Sequence, residues 1–176
     1  ENEESTKMLS AVRRSASSAR ALQVAALRRF SAPSSPTYTA KVAAIGGRLG
    51  SVKSADGNLS LPLTVQKVLG GSEAPGSVNP EILFAAGYAA CFISAMGVAA
   101  KNQHKILPPT TSVNNLVHLY GSPVTGFSLG VELQVAIPGM TEPEIQKIID
   151  EAHVICPYSK ATRGNIEVKL TPVVSS

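Results

Sequence analysis

The sequence predicts an α+β fold in which antiparallel strands surround one buried helix. Short segments of alternating hydrophobicity lie on both sides of a long segment of small apolar residues, and a second helical stripe follows near the carboxyl end. The chain has 176 residues, of which 44% are hydrophobic and 16% are charged. A chain of this length and composition can bury the core of one domain and still carry a tail.

The first strands are expected near the amino end of the domain. Residues 38–44 alternate like a strand, and the two glycines at 46–47 favour a turn or bulge after it. Residues 49–54 and 59–63 flank Asp-Gly-Asn at 56–58. This arrangement is a strong hairpin signal.

A long central helix is expected from Asn79 to about Asn102. Asn79 is a favourable N-cap, Pro80 suits the first helical position, and Glu81 places an acid in the first turn. Residues 82–100 carry no charge and could span a bilayer by length. Because they are mostly Ala, Gly, Ser, Cys and Tyr, we expect a helix packed inside a globular core and no membrane span.

The carboxyl half predicts two strands, a helix and a last strand. Residues 113–120 and 127–137 alternate, and the capping-box sequence at 141–144 precedes a helical apolar stripe. Pro157 is expected to end this helix, with Cys156 at its edge and better placed for exposure than Cys91. The alternation of Ile166, Val168 and Leu170 predicts the last strand.

The amino-terminal segment differs in composition from the rest. Residues 8–30 hold five arginines and no acid, which is typical of a mitochondrial transit peptide, although a non-targeting basic tail stays possible. Residues 1–7 carry three acids, which favours Met8 as the true start. We expect an extension with a linker over residues 1–36, a domain over 37–176, and a location in the mitochondrial matrix.

The charge and metal-ligand patterns argue against several functions. From Ser31 onward the chain has 10 basic and 9 acidic residues, and tryptophan is absent, so a nucleic-acid partner is not expected. Two cysteines 65 residues apart and three scattered histidines have no metal-ligand spacing. The spacing alone allows the cysteines to be buried hydrophobes, a structural disulfide or a redox pair.

Two cysteine motifs carry a family resemblance. NPEILFAAGYAACF at 79–92 and CPYSKATRGNIEV at 156–168 together resemble the organic hydroperoxide resistance (Ohr) proteins of the OsmC-like superfamily. Gly-Gly-Arg at 46–48, followed by the hairpin, fits the same family. The resemblance is collinear over about residues 38–174, and Ser-Glu-Ala at 72–74 departs from it.

The resemblance implies a thiol-dependent peroxidase with an OsmC-like fold and an intertwined homodimer. Its motif positions make Cys91 the peroxidatic cysteine and Cys156 the resolving cysteine, with Arg48 and Glu81 tuning the thiolate. The implied substrates are alkyl, aryl and fatty-acid hydroperoxides. The resemblance implies no bound cofactor. The implied electron donor is dihydrolipoamide on a lipoylated protein, which is plentiful in the mitochondrial matrix.

The physical logic of these residues is independent of the family. An arginine beside a thiol stabilises the thiolate and the charge that develops on a peroxide oxygen, and a paired glutamate fixes the guanidinium. Glu81 and Cys91 are ten residues apart, about 15 Å along one helix. Either the helix breaks near Gly87, or Glu81 serves the Cys91 of a partner chain.

Other candidates and alternative functions were weaker in the sequence. Leu83, Phe92 and Tyr158 are apolar candidates to line a pocket for the alkyl part of a substrate. A Cys/His acyl hydrolase using Cys91 is the second enzyme hypothesis, but no histidine has motif support as its base. A disulfide-stapled, non-enzymatic ligand-binding domain is the non-catalytic alternative.

Overall fold

The computed structural model describes residues 35–174, and the predicted transit peptide at 8–30 lies outside them. The chain divides after Ala40, and the boundary expected after residue 36 stays a prediction. The strands are β1 (Val42–Ile45), β2 (Ser51–Ser54), β3 (Ser60–Pro62), β4 (Ser112–Ser122), β5 (Gly126–Ala136) and β6 (Glu167–Val173). The helices are α1 (Pro80–Asn102), α2 (Glu142–Ile155) and α3 (Pro157–Thr162), with short 3-10 turns at Gly47–Leu49 and Lys67–Leu69. The predicted α+β class is confirmed.

The amino-terminal sheet is an antiparallel meander in the order β1-β2-β3. The predicted hairpin joins β2 to β3, with Gly57 at φ 78°, a value that favours glycine. β1 begins at Val42 and not at residue 38. Its ladder with β2 begins at the register Val42–Ser54. One further hydrogen bond runs from the Ala55 N–H to the Lys41 carbonyl at 2.9 Å, and the chain then turns toward β3, so the ladder does not extend back to residue 38.

The second sheet has the order β4-β5-β6. β4 and β5 form a long antiparallel hairpin of 11 residues each. β6 pairs with β5 in parallel, which departs from the antiparallel arrangement expected for all strands. The physical reason is that α2 and α3 lie between β5 and β6 in the chain and return it to the same end of the sheet.

Helix α1 is continuous from Pro80 to Asn102, as expected, so of the two alternatives the one with a break near Gly87 is wrong. Asn79 caps it as predicted, because its side-chain oxygen accepts a hydrogen bond from the Ile82 N–H at 2.8 Å. By length and composition α1 is also apolar enough to cross a membrane. One of its faces is buried in the core, through Tyr88, Phe92, Ala95, Met96, Ala99 and Ala100.

The opposite face of α1 is exposed in the single chain. The predicted burial of this helix is therefore confirmed for one of its faces only. The exposed positions recur every four residues and are apolar or small: Ile82, Ala86, Ala90, Ser94 and Val98. Residues spaced by four lie on one face of a helix. An apolar stripe of this kind is suited to contact with another surface.

Helix α2 begins as predicted at the capping box. The Glu144 carboxylate accepts hydrogen bonds from the backbone N–H of Thr141 at 2.9 Å and from its hydroxyl at 2.8 Å. α2 buries Ile145, Ile148 and Ile149 against the core and ends at Ile155. Its carboxyl end therefore delivers Cys156 to the interior.

Candidate active site

The two cysteines lie side by side. Cys91 is on α1, Cys156 is the residue between α2 and α3, and the Cys156 thiol donates to the Cys91 sulfur at an Sγ–Sγ distance of 3.7 Å. Cys156 is fully buried, whereas Cys91 is half-buried. The expectation that Cys156 is the more exposed thiol is therefore wrong. Pro157 begins a further helix, α3, which contacts α1 and has Cys156 as its N-cap.

The surroundings of Cys91 within its own chain favour the neutral thiol. Burial is the main cause that raises the pKa of Cys91, and the hydrogen bond with Cys156 and the charge of that group raise it further. The backbone N–H of Tyr158 acts in the opposite direction and lowers it. Because a cysteine reacts as its thiolate, these surroundings alone do not favour a reactive Cys91.

Arg48, Glu81 and Gln66 form a second polar cluster. The two terminal nitrogens of Arg48 hold the Glu81 carboxylate at 2.6 and 2.9 Å in a bidentate pair. The Gln66 amide donates to the same carboxylate at 2.6 Å and accepts from Arg48 at 3.4 Å. Hydrogen bonding to Arg48 is the first cause that lowers the pKa of Glu81, which keeps the carboxylate charged.

Gln66 was not singled out from the sequence. It precedes the short 3-10 turn at Lys67–Leu69, in a segment without helical or strand periodicity. No motif or spacing marks such a residue, and only its contacts identify it. Its two hydrogen bonds brace the ion pair from one side, since it donates to the carboxylate and accepts from the guanidinium.

The two clusters are separated along α1. Glu81 lies in its first turn and Cys91 ten residues further on, so about 15 Å of uninterrupted helix lies between their backbones. Arg48 is bound to Glu81 at the amino end of this helix. The structure therefore brings Arg48 to Glu81 and Cys91 to Cys156, and it leaves the two pairs apart within one chain.

An aromatic group lies next to the thiols. The ring of Tyr158 stacks on Tyr88 with ring centres 5.5 Å apart and lies 6.1 Å from Phe84. A side chain at Gly87 would begin 2.8 Å from the Tyr158 hydroxyl, so glycine provides the space in which this ring lies across α1. Tyr158 remains partly exposed beside Cys91.

The three residues expected to line a substrate pocket differ in position. Tyr158 and Leu83 retain some exposure. Phe92 is fully buried in the core of the single chain, because it follows Cys91 by one residue and points about 100° away around α1. Its expected place in a pocket stays a prediction. No group of metal-ligating side chains is found within residues 35–174.

Comparison with known proteins identifies the family. A family model described as OsmC-like protein matches residues 71–171. The organic hydroperoxide resistance protein of Xanthomonas axonopodis pv. citri is 47% identical over 142 residues, covering 81% of this chain and 99% of its own. OhrA of Bacillus subtilis is 42% identical over 137 residues, covering 78% of this chain and 96% of its own.

A solved structure agrees with these relatives. The organic hydroperoxide resistance protein from Legionella pneumophila superposes with a TM-score of 0.72 at 45% identity, covering 80% of this chain and 100% of its own. Sequence motifs, fold and relatives thus agree over the part of the chain that contains both cysteines, Arg48 and Glu81. The chain belongs to the OsmC-like family and, within it, to the organic hydroperoxide resistance proteins.

Proposed function

We propose that this chain is a thiol-dependent peroxidase that reduces organic hydroperoxides to alcohols. The observation that carries the proposal is the 3.7 Å separation of the sulfurs of Cys91 and Cys156, two residues that are 65 positions apart in sequence. A disulfide requires an S–S distance of about 2.05 Å, so the two sulfurs must approach each other by about 1.6 Å for the bond to form. The names of the relatives support hydroperoxides as the substrate.

The two cysteines take different roles because of their burial. The Cys91 thiolate attacks the terminal peroxide oxygen and the O–O bond breaks, so Cys91 becomes a sulfenic acid. The alkoxide leaves and takes up the proton that the Cys91 thiol had released, which gives the alcohol. The Cys156 thiol then attacks the Cys91 sulfur, and water leaves as the disulfide closes. Cys156 is fully buried, so a hydroperoxide meets Cys91 first.

Burial also determines how the disulfide is reopened. A reducing dithiol needs an accessible sulfur, and Cys91 is the half-buried partner of the pair. The dithiol attacks Cys91, the Cys156 thiol leaves, and the second thiol of the reductant releases Cys91. Dihydrolipoamide on a lipoylated protein is the proposed donor. The Arg-rich segment at 8–30 supports a mitochondrial matrix location, where this donor is plentiful.

The activating cation is proposed to come from a second chain. The Arg48–Glu81 pair lies about 15 Å from Cys91 of its own chain along continuous α1, and burial raises the pKa of Cys91. We propose a homodimer in which this pair faces the partner's Cys91. The exposed apolar stripe on α1 supports close contact between chains, and so do the exposed Val42 and Ile45 of β1 and Leu49 of the 3-10 turn that follows it.

The alkyl part of the substrate is proposed to lie against the aromatic group beside Cys91. Tyr158 and Leu83 offer apolar surface there. Burying an alkyl chain contributes about 0.8 kcal/mol for each methylene group. This favours alkyl, aryl and fatty-acid hydroperoxides over hydrogen peroxide.

The alternatives make different demands. An acyl hydrolase needs a general base at the nucleophile, and within residues 35–174 no histidine hydrogen-bonds to either cysteine. A disulfide-stapled binding domain needs a permanent bond between the cysteines.

Titrating thiols before and after one equivalent of cumene hydroperoxide distinguishes the peroxidase, the hydrolase and the stapled domain. We expect two thiols per chain to be lost, whereas none at the start supports the stapled domain and no change supports the hydrolase.

Single-cysteine variants test the assigned roles. Cys91→Ser should abolish hydroperoxide consumption, because Cys156 is buried away from substrate. Cys156→Ser should consume about one equivalent and trap a sulfenic acid on Cys91, which a dimedone adduct detects by mass. Equal residual turnover in both variants would contradict the assignment.

A further inference from the structure

A hydrogen bond crosses the core beside the thiols and has no part in the chemistry proposed above. The hydroxyls of Tyr88 and Ser159 are 2.9 Å apart, and both side chains are fully buried. Tyr88 lies on α1 three residues before Cys91, and Ser159 lies on α3 three residues after Cys156. The hydroxyl pair and the thiol pair therefore lie side by side between α1 and the start of α3.

Packing fixes the tyrosine end of this hydrogen bond. The Tyr88 ring meets Phe84 and Phe92 edge to face, with ring centres 6.0 and 6.3 Å away, and stacks on Tyr158. A ring held on three sides directs its hydroxyl to one place. A hydroxyl in an apolar core is costly unless it is paired, and Ser159 supplies the partner.

The other partner of this hydrogen bond, Ser159, lies on α3, the helix that depends most on contacts with the rest of the chain. α3 has six residues, and the single residue Cys156 separates it from α2. Helices this short are not stable without tertiary contacts. Because Cys156 and Ser159 share its first turn, whatever holds Ser159 to α1 also sets the position of the Cys156 sulfur.

We propose that Tyr88 and Ser159 are positioning residues for the resolving step, an inference that rests on the proposed function. In that step the Cys156 thiol displaces hydroxide from the Cys91 sulfenic acid, so a disulfide and water form. The competing reaction is a second hydroperoxide oxidising the sulfenic acid to sulfinic acid, with release of an alcohol. Resolution between positioned groups depends on their geometry, whereas the competing reaction does not.

The test measures how the sulfenic acid divides between these two fates. Tyr88→Phe, Ser159→Ala and the double variant are treated with increasing cumene hydroperoxide, and intact mass gives the ratio of sulfinic acid to disulfide. Each single variant should raise this ratio about five-fold at a given hydroperoxide concentration. The double variant should raise it no further, because both changes remove one hydrogen bond. Sulfenic-acid formation, measured in the Cys156→Ser background, should be unchanged.

Two control variants distinguish the positioning of Cys156 from a general loss of stability. Ile148→Val removes a methyl group from the buried face of α2 and lowers stability without touching the hydroxyl pair. Tyr120→Phe removes a hydroxyl from an exposed tyrosine on β4. Both should keep the wild-type ratio of sulfinic acid to disulfide.

The outcomes distinguish this inference from the proposed function. If the wild type forms the Cys91–Cys156 disulfide and both single variants keep its ratio, the positioning role is wrong and the peroxidase stands. An equal rise in Ile148→Val also overturns the positioning role. If the wild type forms no disulfide between these cysteines, the two-cysteine function fails, and this inference fails with it.

Discussion

Arg48 carries the electrostatic part of the proposed reaction at the scale of single residues. Its guanidinium is held by the Glu81 carboxylate in a bidentate pair that Gln66 braces, so its direction is fixed before a substrate arrives. Burial raises the pKa of Cys91, which leaves the thiol protonated in the absence of a nearby cation. A fixed cation would reverse that preference.

The first prediction is the loss of this effect in Arg48→Ala. Without the guanidinium the pKa of Cys91 should rise, because an opposite charge favours the thiolate. The pH–rate profile of Cys91 alkylation should move to higher pH, and reduction of hydroperoxide should slow by about two orders of magnitude. Arg48→Lys is the matched control and should recover only part, since an ammonium lacks the planar fork. An unchanged alkylation profile in Arg48→Ala would refute the role.

Helix α2 governs where Cys156 lies at the scale of elements. It is anchored at its start by Glu144, which accepts from Thr141 and pairs with Lys105 at 2.5 Å. The hydrogen bond from Lys105 is the first cause that lowers the pKa of Glu144, to about 2, and the Thr141 contacts lower it further. The start of α2 is therefore sensitive to acid.

The sign of this dependence follows from the lowered pKa. An unfolded glutamate has a pKa of about 4.3, so Glu144 stabilises the fold fully above that pH and progressively less as the pH falls toward 2. The melting temperature of the wild type should exceed that of Glu144→Gln at pH 7, and the two should converge toward pH 2. Glu142→Gln changes the same charge in the same turn and serves as the control. A gap that stays constant with pH would contradict this account.

The elements also show what the sequence could predict. The starts of α1 and α2 follow from local rules, because Asn79 and Glu144 make capping contacts with residues three away. The direction of β6 could not be predicted, since alternation marks a strand and not its orientation. The burial of Cys156 could not be predicted for a related reason. Proline after a helix is compatible both with a loop and with the first position of another helix.

The same distinction applies to the candidate site. Cys91, Cys156, Arg48 and Glu81 were identified because the family resemblance marks their motifs. Gln66 and the Tyr88–Ser159 pair have no local signature, because their partners are 15 and 71 residues away in sequence. Contacts of that kind depend on the packing of whole elements.

The proposed dimer is tested at the scale of the whole molecule by mixing two inactive chains. One carries Glu81→Ala and the other Cys91→Ser. If each site takes Cys91 from one chain and Glu81 from the other, a heterodimer has one intact site and one doubly defective site. Random re-association should then restore about a quarter of wild-type activity. No recovery, with heterodimers shown by native mass spectrometry, would place both residues in one chain's site.

The nearness of Cys91 and Cys156 in the folded chain also links folding to oxidation. A fold that holds two thiols 3.7 Å apart favours their bond, and by thermodynamic reciprocity the bond favours the fold to the same extent. Closing a loop of this length removes freedom from the unfolded chain worth about 4 kcal/mol. The protein would thus resist heat and proteolysis best after it has reacted with a hydroperoxide. If the proposed reaction takes place, its cellular lifetime would lengthen under hydroperoxide stress, and reduction would return it to the shorter-lived form.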